Sequence, residues 1–325
     1  MRKFFPAANT PYGFFSRFDS IYNEKEDKKV IYIKGGSGTG KSTLMKKLTE
    51  DAIKSGIEVE QFLCSSDPDS LDGVRFLNPK TTIVDATSPH VQDPSMPGIS
   101  GKIYNIADFW DDSLLTSHKE EIISLANKKK NCFNMCYRYL KSAQALYPTW
   151  SDNLYNNSIA DKFKFIPTEK SGRTRHLFAS GITPKGNINL LSEILVGKII
   201  GIEESVESSA ILKELNKCAN MAGYNTELYF CPMFPTTKAE HLVIPELELS
   251  FTTSNKHHNY EKCDEVIEAA NKPAFPDEIK PLIDTACRFL AEAKTHHSQI
   301  EKIYISAMDF DKMDESYEEL KENLF

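Results

Sequence analysis

Short β-branched runs alternate with segments of helical period along this chain of 325 residues. Val30, Ile31 and Ile33 form one such run, and Leu44, Met45 and Leu48 then recur at helical spacing. The pattern predicts a strand, a loop and a helix. Helix stops are predicted near Gly56 and Gly223, where glycine suits a left-handed turn. Further strands are predicted at 3–7, 59–64, 82–85, 176–179, 227–231 and 249–252, and an amphipathic helix after each early strand. Strands alternating with helices predict an α/β fold with mostly parallel sheets flanked by helices. Two long helical regions follow. One carries Ile122, Ala126, Phe133, Cys136, Leu140, Ala143 and Tyr147, with Lys129 interrupting. The other carries Ile283, Ala286, Leu290, Ala293, Ile300, Tyr304 and Ala307, with His297 interrupting. These seams suit helix-on-helix packing, within the chain or as arms for a protein partner.

The chain also repeats itself. "FFPAANTPYGFFSRFDSI" at 4–21 aligns without gaps to "LFASGITPKGNINLLSEI" at 177–194, and both hold Thr-Pro-x-Gly. "GIEVEQFLCSSDP" at 56–68 aligns to "GYNTELYFCPMFP" at 223–235, which pairs Cys64 with Cys231. "TTIVDATSPH" at 81–90 aligns to "LSFTTSNKHH" at 249–258, which pairs His90 with His258. The expected organisation is a first domain at 1–153, a turn-rich linker at 154–171 and a second domain of the same fold at 172–325.

The two copies differ where chemistry is expected. The first has Gly35, Gly36, Ser37, Gly38, Thr39, Gly40, Lys41, Ser42 and Thr43 between strand and helix, fitting G-x-x-x-x-G-K-[ST]. Its glycines let backbone N–H groups turn inward, and the helix start adds free N–H groups and a positive dipole end. ATP is the expected ligand. Lys41 would reach the β- and γ-phosphates, and Ser42 and Asp85 would hold Mg²⁺. Ala86 follows Asp85, where many ATPases of this class place a glutamate. Asp67, in "CSSDPDSLDG", is therefore the candidate catalytic acid–base group, ahead of Asp69 and Asp72. The second copy has Glu203, Glu204 and Glu207 in place of the glycines and lysine. These carboxylates would repel a phosphate. Arg173 and Arg175 are candidates for a cation reaching across to the first loop, although Arg2 matches Arg175 by position.

Composition narrows the class. Net charge is −7, and 261–325 alone holds sixteen acidic and eight basic residues. No general nucleic-acid-binding face is therefore expected. No apolar run approaches a membrane span, and the N-terminus lacks the apolar core of a signal peptide. Seven cysteines without C-x-x-C pairs suit reduced thiols. A cytoplasmic protein is expected.

Together, "GGSGTGKSTLMKKL", "CSSDPDSLDG", "DATSPHVQDP" and "RHLFASGITPKG" resemble an uncharacterised bacterial family of tandem P-loop ATPase-like proteins. The resemblance spans nearly the whole chain. It implies ATP binding and hydrolysis in the first half; some members carry two intact loops, from which the second half here departs. A small-molecule or nucleotide kinase and a nucleotide-gated scaffold with little turnover are the alternatives.

Overall fold

A computed structural model describes residues 1–150, 162–255, 258, 260–269, 271–322 and 324. Part of the expected linker, 154–161, lies outside the described residues.

The first half runs β1 (Arg2–Phe4), β2 (Ala7–Thr10), β3 (Gly13–Ser16), β4 (Lys29–Lys34), α1 (Lys41–Lys54), β5 (Val59–Cys64), β6 (Asp67–Leu77), β7 (Lys80–Asp85), β8 (Gly101–Asn105), α2 (Asp112–Ser117) and α3 (Lys119–Ala145). The second runs β9 (Thr174–Leu177), β10 (Ser180–Thr183), β11 (Gly186–Asn189), α4 (Leu191–Ile194), β12 (Lys198–Glu203), α5 (Ser208–Met221), β13 (Thr226–Phe230), β14 (Ala239–Ile244), β15 (Leu249–Ser254), β16 (Glu265–Ile267), α6 (Ile279–Ala307) and α7 (Phe310–Glu322). Among the described residues, no helix is long and apolar enough to cross a membrane.

Each half builds a six-stranded sheet, ordered β1-β5-β6-β7-β4-β8 and β9-β13-β14-β15-β12-β16. The two orders match strand for strand, so the repeat in sequence is a repeat in topology. The sheets are mixed. In each, five strands share a direction and one, β6 or β14, runs against both neighbours. Sequence reading missed this strand because Pro68, Asp69 and Gly73 look like turn residues. Pairing on both sides overrides that local preference.

The helix expected after each Thr-Pro-x-Gly is cut to a single turn, at Phe18–Ser20 and at Leu191–Ile194, behind a hairpin. Gly13 and Gly186 each adopt φ 100°, and Thr10 and Thr183 Oγ1 donate to the carbonyls of Gly13 and Gly186 at 2.7 and 2.8 Å. That turn closes the hairpins β2–β3 and β10–β11. The helix stops do hold: Gly56 and Gly223 have φ 75° and 94°.

Alternation along β4 fixes its two faces. Ile31 and Ile33 pack with Leu44, Met45 and Leu48 of α1. Val30 and Tyr32 pack on the other face with Phe4, Phe18 and Phe62. Both core clusters contain residues from both halves, so the apolar interior is continuous across the repeat.

The halves meet along an approximate two-fold seam. Phe5 and Phe178 exchange backbone hydrogen bonds of 3.1 Å. Beside them Arg2 pairs with Glu227, and Arg175 pairs with Glu60 at 2.9 Å and with Glu227 at 3.2 Å. Helices α3 and α6 cross the same axis antiparallel, shown by Leu125 packing with Ile300 and Tyr139 stacking on Phe289. Helix α7 then packs on the first half: Lys47 pairs with Asp314 at 2.8 Å, and Tyr317 donates to Asp51 at 3.0 Å. The split at 172 thus describes the repeat, while the final helix belongs in space to α1.

The seam predicts a stability difference. Glu227→Gln leaves two half-buried guanidinium groups short of charge and should cost about 2 kcal/mol. Breaking the exposed Lys198–Glu265 pair (3.0 Å) with Lys198→Gln should cost under about 1 kcal/mol. Urea unfolding followed by circular dichroism checks both.

Candidate functional site

Strand β4 delivers the chain to Gly35 beside Asp85, since Ile33 pairs with Asp85 in the parallel ladder. Gly38 and Gly40 then take φ 72° and 84°, conformations that glycine adopts without strain. Gly40 caps α1 with no side-chain hydrogen bond, so first-turn N–H groups stay available for an anion. Lys41 Nζ folds back into the loop. It donates to Gly35 O at 2.9 Å and Gly36 O at 2.6 Å, and lies 3.6 Å from Asp85 Oδ2. Thr39 Oγ1 donates to Gly36 O at 2.9 Å. Ser42 Oγ accepts from Leu71 N at 2.9 Å, which leaves a lone pair for a cation. Asp85 Oδ1 accepts from Thr87 N at 2.9 Å. Ser37 is half-buried and Thr43 exposed.

The acids of "CSSDPDSLDG" separate by environment. Asp67 accepts from Ser70 Oγ at 3.0 Å and pairs with Lys294 of α6. Asp69 is exposed and pairs with Lys185 at 2.6 Å. Asp72 is buried. Burial pushes its carboxyl up to about 6; Asp85 adds to the shift, while His90 and Lys41 oppose it. Sequence reading placed Asp67 first, yet Asp72 senses both Asp85 and Lys41.

The second half roofs the loop. A Cβ added at Gly36 would lie 2.5 Å from the Tyr304 ring, one at Gly38 2.7 Å from Glu301 O, and one at Gly40 2.8 Å from Met313 Cε. The glycines are thus needed for close approach of α6 and α7 as well as for conformation. Facing the same space are Lys294, His297 and, from α3, Lys129, whose ammonium sits 3.3 Å from His297 Nδ1. His297 is held down at about 4, first by burial and then by Lys129, with Lys41 and Lys294 adding and Asp67 opposing. Three ammonium groups therefore converge on one rim, the electrostatic setting that attracts a polyanion. The cleft between residues 108–114 and 306–312, about 580 Å³, carries Asp108, Asp111, Asp309 and Asp311. Its charge makes it unsuitable for phosphates.

Arg173 and Arg175 play no part at the loop. Arg173 pairs with Glu26, and Arg175 is held in the seam. In the second half the glycine positions are occupied otherwise. Lys238 Nζ is buried and pairs with Glu204 at 2.7 Å and Glu240 at 3.0 Å. The Trp150 ring covers it at 4.4 Å, and Trp150 Nε1 donates to Glu204 at 3.1 Å. Glu203 pairs with Lys272 at 2.8 Å.

No family model, curated protein or solved structure matches this chain. The site therefore stands on its own geometry. Asp72 was ranked behind Asp67 from the sequence; the residues given no part at the loop there are Lys129, Lys294, His297, Glu301 and Tyr304. Lys129 and His297 were visible as the two polar breaks in otherwise apolar seams. Their meeting needed the antiparallel pairing of α3 with α6.

Two outcomes test this arrangement. Gly38→Ala puts a side chain at positive φ and against Glu301, so amides 298–307 should exchange hydrogen faster by mass spectrometry. The low pKa of His297 means the unfolded chain binds more protons between pH about 6.5 and 4. Stability of the native protein should therefore fall, relative to His297→Gln, as pH drops through that window. Thermal melts across pH read the difference.

Proposed function

We propose that this protein binds a nucleoside triphosphate, with ATP the expected one, at 35–43 of its first half and hydrolyses it with Mg²⁺. One observation carries the reading: the Lys41 ammonium sits inside a glycine loop at a helix start, 3.6 Å from an aspartate ending the neighbouring parallel strand. Backbone N–H groups of the loop would hold the β-phosphate. Lys41 would turn from the Gly35 and Gly36 carbonyls to the β- and γ-oxygens. Ser42 Oγ and Asp85 have the hard oxygen donors that suit Mg²⁺, which would neutralise phosphate charge in the reaction. Asp67 is the carboxylate beside the loop able to take a proton from attacking water. Lys294 and His297 would face the terminal phosphate from the second half.

The roof favours a further feature of this reading, that nucleotide gates the α6–α7 elbow. Tyr304, Glu301 and Met313 lie against the loop glycines, so a change in the loop reaches the second half directly. The plugged second half would bind no nucleotide, since its buried carboxylates already hold an internal ammonium.

Calorimetry with ATP and Mg²⁺ tests the proposal. One site per chain is expected. Lys41→Ala removes charge-assisted bonds worth about 1.5–3 kcal/mol and should weaken binding by about tenfold to a hundredfold. Glu203→Ala, far from the loop in sequence and paired with an exposed lysine, should leave affinity unchanged. Equal affinity in Lys41→Ala and the native protein overturns the assignment.

A further inference from the structure

The repeat places a second set of polar groups beside the loop. Strand β6 bulges against β5 between Phe62 and Leu63, and strand β14 bulges against β13 between Tyr229 and Phe230. The residues skipped by the pairing are Asp72 and Glu240. A bulge re-aims the side chain of its extra residue, and both carboxylates are turned into the same surroundings. Asp72 faces Cys64 and His90; Glu240 faces Cys231 and His258. Asp72 Oδ2 is 3.6 Å from His90 Nε2, and Glu240 Oε1 is 3.6 Å from His258 Nδ1.

The halves differ in charge at this point. In the second, Lys238 delivers an ammonium to Glu240. The aligned position in the first half is Ser70, which donates to Asp67 instead. Asp72 Oδ2 is buried with no hydrogen-bond partner, an expensive state for a carboxylate oxygen. A bulge carboxylate that binds a built-in cation in one half is, in the other, aimed between a thiol and an imidazole.

We propose that Cys64, Asp72 and His90 bind a divalent metal of the zinc class, at a site separate from the Mg²⁺ position between Ser42 and Asp85. Their ligand atoms lie within 4.8 Å of one another. Metal–ligand bonds of about 2.0–2.3 Å in a tetrahedron need ligand separations of about 3.3–3.8 Å. The Asp72–His90 distance already meets this, and the sulfur, within 4.8 Å of both, would close by up to about 1 Å. One sulfur, one nitrogen and one oxygen donor suit zinc and disfavour Mg²⁺ and Ca²⁺, which take oxygen. Phe18 stacks on the His90 ring at 4.6 Å and Phe14 meets its edge at 5.0 Å, which fixes the ring's orientation. Binding forms bonds from the metal to Sγ, Oδ2 and Nε2 and releases the thiol proton to solvent. Three protein ligands leave a fourth position open.

The test uses Co²⁺ as the probe with the full-length, chelator-treated protein. One equivalent should produce a thiolate-to-cobalt charge-transfer band in the near ultraviolet and tetrahedral bands in the visible, and Zn²⁺ should displace both. Cys64→Ser should lose the charge-transfer band, and His90→Gln should weaken binding at least about tenfold. Lys41→Ala should bind Co²⁺ as the native protein does, so a failed nucleotide assay does not decide this one. Should Cys64→Ser not fold, Zn²⁺ protection of Cys64 from alkylation in the native chain, mapped by mass spectrometry, gives the same answer. Absence of the band with unprotected Cys64, persistence of the band in Cys64→Ser, or loss of Co²⁺ binding in Lys41→Ala would each overturn the proposal.

Discussion

The crossed pairing of Arg2 with Glu227 and of Arg175 with Glu60 is the constraint on which the molecule depends. Each arginine reaches from the edge strand of one half to a carboxylate on the second strand of the other. Burial alone would disfavour both charges, raising the carboxyl pKa and lowering that of the guanidinium. Mutual pairing instead holds Glu60 below the usual carboxylate range despite the burial that opposes it. Ion pairs of this kind contribute little net stability compared with an apolar contact, but they are costly to misalign. With the Phe5–Phe178 bridge they set one register between the halves. Neither half can slide or rotate without leaving a half-buried guanidinium unpaired at the seam.

That fixed register determines what meets the glycine loop. Since α3 and α6 cross on the same axis, each long helix leaves its own sheet and carries the following chain onto the opposite half. The first half is roofed by Tyr304, Phe310 and Met313; the second is roofed by Tyr147 and Trp150, which pack on Phe234. The roofs are related, but the ground beneath them differs. Under Trp150 lies a closed set of opposite charges, Lys238 with Glu204 and Glu240. Under Tyr304 lies an open loop whose lysine bonds only to backbone carbonyls and approaches Asp85. One half buries its own cation between two carboxylates, whereas the other leaves Lys41 on backbone carbonyls and 3.6 Å from Asp85, at the mouth of a glycine loop.

Much of the structure around the loop was legible because it is local. The loop, its flanking strand and helix, Asp85 at a strand end and the glycine helix stops follow from short-range spacing. The repeat was legible for the same reason, through Thr-Pro-x-Gly and the aligned cysteines and histidines. The antiparallel strand was not, because "DPDSLDG" carries turn residues whose local preference is overruled by pairing with β5 and β7. The hairpin after Thr10 was mistaken for a helix because Phe14, Phe15 and Phe18 can be read at either period. Arg175 shows the opposite failure. It was considered as a cation for the loop, and only the three-dimensional seam reveals that two buried glutamates hold it.

The roof also bears on how a ligand enters. Glu301 is raised above its ordinary range by burial and by Asp67, so its carboxylate is least favourable where the loop is most closely covered. His297 is held neutral by the same burial and by the neighbouring lysines. A triphosphate arriving here would reverse the preference of the imidazole, stabilising its charged form, and would push Glu301 still further toward its neutral form. Lys294, now paired with Asp67, would exchange that carboxylate for phosphate oxygens. The groups that tie α6 to the loop are therefore the ones an anion would re-pair, so that under the proposed function loading the loop and loosening the elbow would be two descriptions of one electrostatic exchange.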